Sequence, residues 1–375
     1  LGIGKDNIEK GVTAQKFAGT LDGSSHTITL DIGTTYGAGL SDTDNAAGQL
    51  YAKRSDQRDA HYSLALIPFA GDVTIQNLTI AGTVACRVPQ NVNETDDIKY
   101  PAFLSAAVGL ASGATKFESV DVETKISVTA EKDAQELHVW QAGFLGRCES
   151  KALSFQNCTW GSDSTLTDKR TTENQRIGGL AAEVMGDCEV SVDACTLSGS
   201  ITSKSTSNAK VGGLIAVSRG ETQNGTTSAD TTIKISNLQV KEEKIDTADA
   251  KTTSGGLLGY QWKNTNVVFA ASVDNTTASE NGVTISGATL NAKNARFGGL
   301  VYQATGYWNA TAANSIIFEK REKYNNIYRK INEEYDKWSA GGNRSAQSDT
   351  KWKGSSRVCT VSRSRYMGKC FRRCL

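Results

Sequence analysis

Three pairs of adjacent carboxylates, Asp96-Asp97, Glu242-Glu243 and Glu333-Glu334, are the groups in this chain best suited to acid–base chemistry. Two carboxylates can act as acid and base, or acid and nucleophile, when folding holds them across a cleft at the right separation. The first two pairs fall in stretches read as loops, and the third lies on the polar face of a helical pattern. All three therefore read as solvated charge. The three histidines, His26, His61 and His138, sit in a turn, a polar insertion and a loop without HxH or HExxH spacing. His26 belongs to a turn phrase and reads as structural. No nucleophile-elbow phrase is present, and Cys and His do not cluster at ligand spacing, so no catalytic residue, metal or cofactor is expected.

The eight cysteines, at 86, 148, 158, 188, 195, 359, 370 and 374, form no CxxC pair and no regular framework. Cys158 and Cys195 take the same inward position in successive repeats. Stacked strands lie about 4.8 Å apart, a spacing that a disulfide can bridge, but buried free thiols filling the core are the expectation. Binding chemistry has one candidate. Tyr260, Trp262, Tyr302, Tyr307 and Trp308 follow two glycine pairs at similar offsets and could line one face as a strip for sugar stacking or protein contact. The competing reading packs these rings beneath loops or a terminal helix.

The elements that position these residues come from a repeat. A glycine before an apolar residue recurs at 109, 143, 179, 213, 256 and 299, at intervals of 34, 36, 34, 43 and 43 residues. Between these glycines runs a second phrase, as in Val73-Thr74-Ile75-Gln76-Asn77-Leu78-Thr79-Ile80 and Ile233-Lys234-Ile235-Ser236-Asn237-Leu238-Gln239-Val240. Two apolar residues at i and i+2 point inward, a polar residue and Asn, Ser, Ala or Gly turn a corner, and the next residue points inward again. Asn suits the corner because it tolerates the left-handed region and can bond along the stack. The glycine pair suits a corner needing close approach or positive φ. Units of this length stack and bury their apolar faces on their neighbours. A propeller blade would need four strands per unit, which the phrases do not supply. The fold class expected is all-β, a right-handed parallel β-helix over 1–318, with residues 41–62 as a surface insertion.

The phrase Gly19-Thr20-Leu21-Asp22-Gly23, continuing to His26-Thr27-Ile28, resembles the start of bacterial β-helix surface proteins. Gly178-Gly179-Leu180, Gly212-Gly213-Leu214-Ile215, Gly255-Gly256-Leu257-Leu258 and Gly298-Gly299-Leu300-Val301 resemble the GLUG repeats of those adhesin-like and autotransporter-like proteins. Ala181-Ala182 and Ala216 depart from the fuller glycine pattern. The resemblance spans roughly residues 8 to 318. It implies a secreted or surface-anchored bacterial protein, extracellular, and carries over no catalytic residue. The expected function is a non-enzymatic stalk or adhesin, monomeric as a module, that presents loops such as 41–62 and 87–100 to a host or environmental glycan or protein. The alternative is a β-helix polysaccharide lyase or glycoside hydrolase, although the Asp-Asp phrases of pectin-cutting β-helices are absent.

Beyond the repeat, Tyr324, Ile327, Tyr328, Ile331, Tyr335 and Trp338 form one amphipathic stripe, predicting a capping helix over 319–342. Residues 343–375 hold nine Lys/Arg against Asp349 and lack periodicity, so they read as a disordered basic tail. With the whole chain at +1, the remainder carries −7, which offers no basic groove for nucleic acid. No run of about 18 apolar residues is present, so no membrane-spanning segment is expected. The opening on Leu1, without Met or an apolar leader, reads as the interior of a longer protein.

Overall fold

The computed structural model describes residues 16–35, 49–52, 60–88, 102–130, 138–171, 175–205, 209–220, 230–247, 253–262, 264–269, 283–292, 296–298, 301–303 and 315–318. The capping helix and basic tail lie outside them, as do Asp96-Asp97, Glu333-Glu334, Tyr307 and Trp308. Every element among the described residues is a β-strand. Each ladder runs parallel except the pairing of Gln49–Ala52 with Ala60–Leu64. The sheet is nearly closed around its core, compatible with a β-helix or solenoid.

Successive repeats stack as rungs in register, and the apolar i, i+2 pattern becomes columns along the stack. One column is Leu21, Ile75, Phe117, Phe155, Val192, Ile235 and Phe269. The next is Ile28, Ile80, Val122, Trp160, Leu197, Val240 and Ile285. Phe117 and Phe155 stack face to face, centroids 5.1 Å apart at 8°, while Phe144 meets both edge-on. Each large apolar side chain so buried stabilises the fold by about 1.5–3 kcal/mol. The ladders satisfy the backbone groups that burial would otherwise leave unpaired.

The two kinds of corner work differently. Asn77, Ser119, Asn157, Ala194 and Asn237 all take φ between 50° and 55°, so the Asn phrase is a left-handed corner. Asn77 and Asn237 bond through their side chains to an aspartate of the neighbouring rung rather than to another Asn. Asn237 Nδ2 donates to Asp193 Oδ1 at 2.8 Å, and Asn77 Nδ2 to Asp22 Oδ1 at 3.3 Å. At the glycine pairs, by contrast, no described glycine has positive φ. Their requirement is space: a Cβ on Gly143 would stand 2.8 Å from Trp160 Cδ1, and one on Gly213 would stand 2.5 Å from the Glu243 carboxyl.

Register also corrects parts of the sequence reading. Ser105 pairs with Ala142, and Ala106 N–H donates to Gly143 O, so Ala106 rather than Gly109 is the counterpart of Gly143. Gly109 belongs instead with Gly146, beyond the corner, since Val108 pairs with Leu145 and Leu110 with Arg147. A small residue at this corner suffices where no indole or carboxyl packs against it. The 41–62 stretch is not wholly a surface insertion either. It holds Gln49–Ala52 and the start of Ala60–Leu64, the one antiparallel pair among the described residues, and Tyr62 is fully buried in the core.

Candidate functional site

The strand after each glycine corner departs from strict alternation. Val108 and Ala111 both join the main core, as do Leu145 and Cys148 and then Ala181 and Val184. The residue preceding the last of each pair, Leu110, Arg147 or Glu183, is therefore turned to the other side. There it meets the outward row of the strand before the corner: Ser63, Phe103, Trp140, Arg176 and Lys210, in register. A crease results between the two arms of the corner, running along the stack on the face opposite the core.

The contents of this crease change along its length. At its N-terminal end Phe69, Phe103, Leu110, Trp140, Ala142 and Ala182 form a second apolar cluster. The middle is ionic. Glu183, fully buried, pairs with Arg176 across the corner, with Arg147 Nε at 3.6 Å and with Arg219 at 3.3 Å. Arg147 also bonds Glu149 at 3.2 Å, and its Nε lies 3.1 Å from the Met185 sulfur. Burial alone would raise the Glu183 carboxyl, but Arg176, Arg147 and Arg219 outweigh it and bring its pKa down to about 2. Burial lowers the Arg176 guanidinium to about 10, with Glu183 opposing. The arginines are further held over rings, Arg176 at 4.7 Å from Trp140 and Arg147 at 5.9 Å from Phe103.

Toward its C-terminal end the crease becomes aromatic and half-buried. Tyr260 follows Val217 in register, and Trp262 N–H donates to Ser218 O at 2.8 Å. The rings of Tyr260 and Trp262 meet edge-to-face, centroids 5.6 Å apart at 65°. A cation stands over each: Lys210 at 5.7 Å from Tyr260 and Arg219 at 5.1 Å from Trp262. Arg219 thus links the aromatic pair to the Glu183 cluster.

Of the five aromatic residues singled out, the structure brings together Tyr260 and Trp262. Tyr302 lies in the next strand, Val301–Gln303, beside a register shift, and its side chain is not described. His26 is structural, its Nδ1 lying 3.0 Å from Gly23 O and 3.1 Å from Ser24 O within the turn. Cys158 and Cys195 are buried in the core, opposite each other on stacked strands, with no bond between their sulfurs. Glu242-Glu243 is not solvated as a pair. Glu242 takes φ 53° at a corner and is exposed, and this turn drives Glu243 inward, where it is 1% exposed. Neither of its oxygens has a hydrogen-bond partner among the described residues, and burial raises its carboxyl well above the ordinary 4.5.

Sequence reasoning missed the Arg147–Arg176–Glu183–Arg219 cluster, because a strict period of two places Glu183 among solvated residues. It also missed the buried Asp168–Arg170 pair at 2.7 Å, into which Gln141 donates at 3.1 Å. That network closes within the core and faces no cleft. Outside the crease, a groove of about 540 Å3 runs over the outward row Thr20, Thr74, Lys116, Ser154, Ser191 and Lys234. Its Asp72 is committed to the Ala114 N–H at 2.8 Å. Among the described residues, no group of three or more His, Cys, Asp or Glu is placed to hold a metal ion, and no helix is long and apolar enough to cross a membrane. In comparison with known proteins, no family model matches the chain, and no curated protein or solved structure is significantly similar to it.

Proposed function

We propose that this chain is a right-handed parallel β-helix that serves as a non-enzymatic, extracellular stalk or adhesin of the bacterial surface type, binding a glycan at the aromatic end of its crease. The observation that carries the reading is the Tyr260–Trp262 pair, half-buried and flanked by Lys210 and Arg219. Aromatic faces beside fixed cations suit a sugar ring, which offers C–H groups for stacking and hydroxyl or carboxylate oxygens for the donors. A stiff stack of parallel rungs would hold such a site at a fixed distance from an anchor and could present it multivalently.

Among the described residues, the buried carboxylates support binding over hydrolysis. Asp168 is bound to Arg170, Glu183 is surrounded by three arginines, and Glu243 is enclosed beneath the glycine corner. None of these offers the pair of opposed, accessible carboxyls that glycoside cleavage uses.

The test is a glycan-binding assay on the full chain, with release of reducing ends followed in parallel. Binding without release, lost in Trp262→Ala at unchanged melting temperature, supports the proposal. Release of sugar ends would replace it with the lyase or hydrolase reading. Loss of stability in Trp262→Ala with binding unaffected would assign the ring to packing alone.

A further inference from the structure

Five cysteines lie among the described residues, and four of them meet in two pairs across one rung boundary. Cys148 and Cys158 belong to the rung of residues 139–170, and Cys188 and Cys195 to the next, 175–205. The Cys148 and Cys188 sulfurs are 3.9 Å apart. Cys158 and Cys195 precede the register pair Thr159↔Thr196, so they are opposite each other on stacked strands. All four are at most 1% exposed and line the main core. Each pair sits at a different corner, so the two contacts clasp the same two rungs at separate points.

We infer that Cys148–Cys188 and Cys158–Cys195 are two disulfide-forming sites that staple these rungs together when the chain folds in the presence of a low-molecular-weight disulfide. Cys158 and Cys195 are in-register neighbours on stacked strands, which lie within the Cα separation a disulfide spans. Cys148, whose register partner is Val184, instead reaches Cys188 across the turn, and closing their 3.9 Å to a bond length of about 2 Å needs side-chain rotation and a local shift. One cysteine of each pair attacks as its thiolate. It displaces one thiolate from the small disulfide and forms a mixed disulfide. The second cysteine then loses its proton, attacks the protein-side sulfur and releases the other thiolate. Each pair gives up two electrons and two protons while one small disulfide becomes two thiols.

Cys86 supplies an internal control. It is buried in the same core, burial pushes its thiol up to about 12, and it has no cysteine partner among the described residues. The inference is independent of the ligand reading above.

The test is to refold the full chain with oxidised and reduced glutathione, block remaining thiols in denaturant, digest without reductant and map the peptides by mass. Two linked pairs are expected, 148 with 188 and 158 with 195, each about 2 Da lighter than its reduced peptides together, with Cys86 blocked. The melting temperature should fall when a reductant is added. Cys188→Ser should retain only the 158–195 link, and Cys195→Ser only the 148–188 link. Recovery of all four thiols in blocked form, or links that join them to Cys86 or to Cys359, Cys370 or Cys374, would overturn the inference. The mapping on the unsubstituted chain decides it even if a variant fails to fold.

Discussion

Glu243→Gln is the sharpest test of how the core has been read. Glu243 occupies the position of Ser164 and Gly199 in earlier rungs, since its neighbour Lys244 pairs with Ser200, and Ser200 with Thr165. Gly199 leaves room there for the Trp160 indole, whereas Glu243 reaches the backbone of Gly213 with both oxygens unpartnered among the described residues. Burial raises its carboxyl well above 4.5, so the folded protein holds a proton that the unfolded chain releases. Stability is then unaffected by this group below pH 4.5 and declines as pH rises from there toward the folded value. Over the range in which the unfolded carboxyl has ionised and the folded one has not, one proton of difference corresponds to about 1.4 kcal/mol per pH unit. The isosteric amide cannot titrate. Urea unfolding free energies for the wild type and Glu243→Gln at pH 5, 6 and 7 should therefore converge toward acid and diverge toward neutrality, wild type losing ground by that slope. Every other carboxylate contributes to both proteins alike. Parallel pH dependences for the two would refute the reasoning.

The crease carries the opposite sign. Glu183, lowered from 4.5 to about 2, contributes stability that is present above pH 4.5 and lost as pH falls through about 2. The loss amounts to about 3 kcal/mol, readable as a steep acid limb in a pH-unfolding curve that Glu183→Gln removes. Glu183→Ala at pH 7 leaves three arginines without their common partner and should cost about 3–5 kcal/mol in urea unfolding. Ala194 holds the left-handed corner that Asn holds in neighbouring rungs, so Ala194→Asn should raise stability by about 0.5–1 kcal/mol, measured as a shift in the urea midpoint at constant slope. Gly82 combines φ 100° with a Cβ position 2.8 Å from Leu30 N, so Gly82→Ala should cost at least about 1–3 kcal/mol in the same measurement.

The columns of the core were readable in the chain because period-two alternation and the Asn corner act within a few residues. Leu21, Ile75 and Phe117 come into register from the same short phrase repeated. The glycine corner was legible as a place but not in its cause. Glycine there answers to Trp160 from another part of the stack, so Ala106 can stand where no such ring presses, and a search for glycine alone shifts the first unit by three residues. The ionic cluster was hidden for a related reason. Val108 and Ala111 both face the core, and this break in alternation turns Leu110, Arg147 and Glu183 outward against the preceding strand. Its members lie in three rungs between residues 147 and 219, and nothing local in the sequence brings them together. Of the aromatic strip, equal offsets after the glycine corner pointed to Tyr260 and Trp262, while their cations, Lys210 and Arg219, come from the rung before.

The ladders also show how this architecture tolerates change. Partners are 34 residues apart at Met185↔Arg219 and 43 apart at Glu189↔Thr232, so nine extra residues enter whole between Arg219 and Thr232. The next rung omits them again, because Thr231 pairs with Thr265 at 34. The strands on either side, Ala181–Met185 with Ile215–Arg219 and Glu189–Asp193 with Thr232–Ser236, pair without a break. The protein thus behaves as a rack with interchangeable inserts, in which a segment can be lengthened, deleted or replaced by a foreign peptide without renumbering a single core contact. For an engineer, the span between Arg219 and Thr231 is a grafting position that the chain itself has already used.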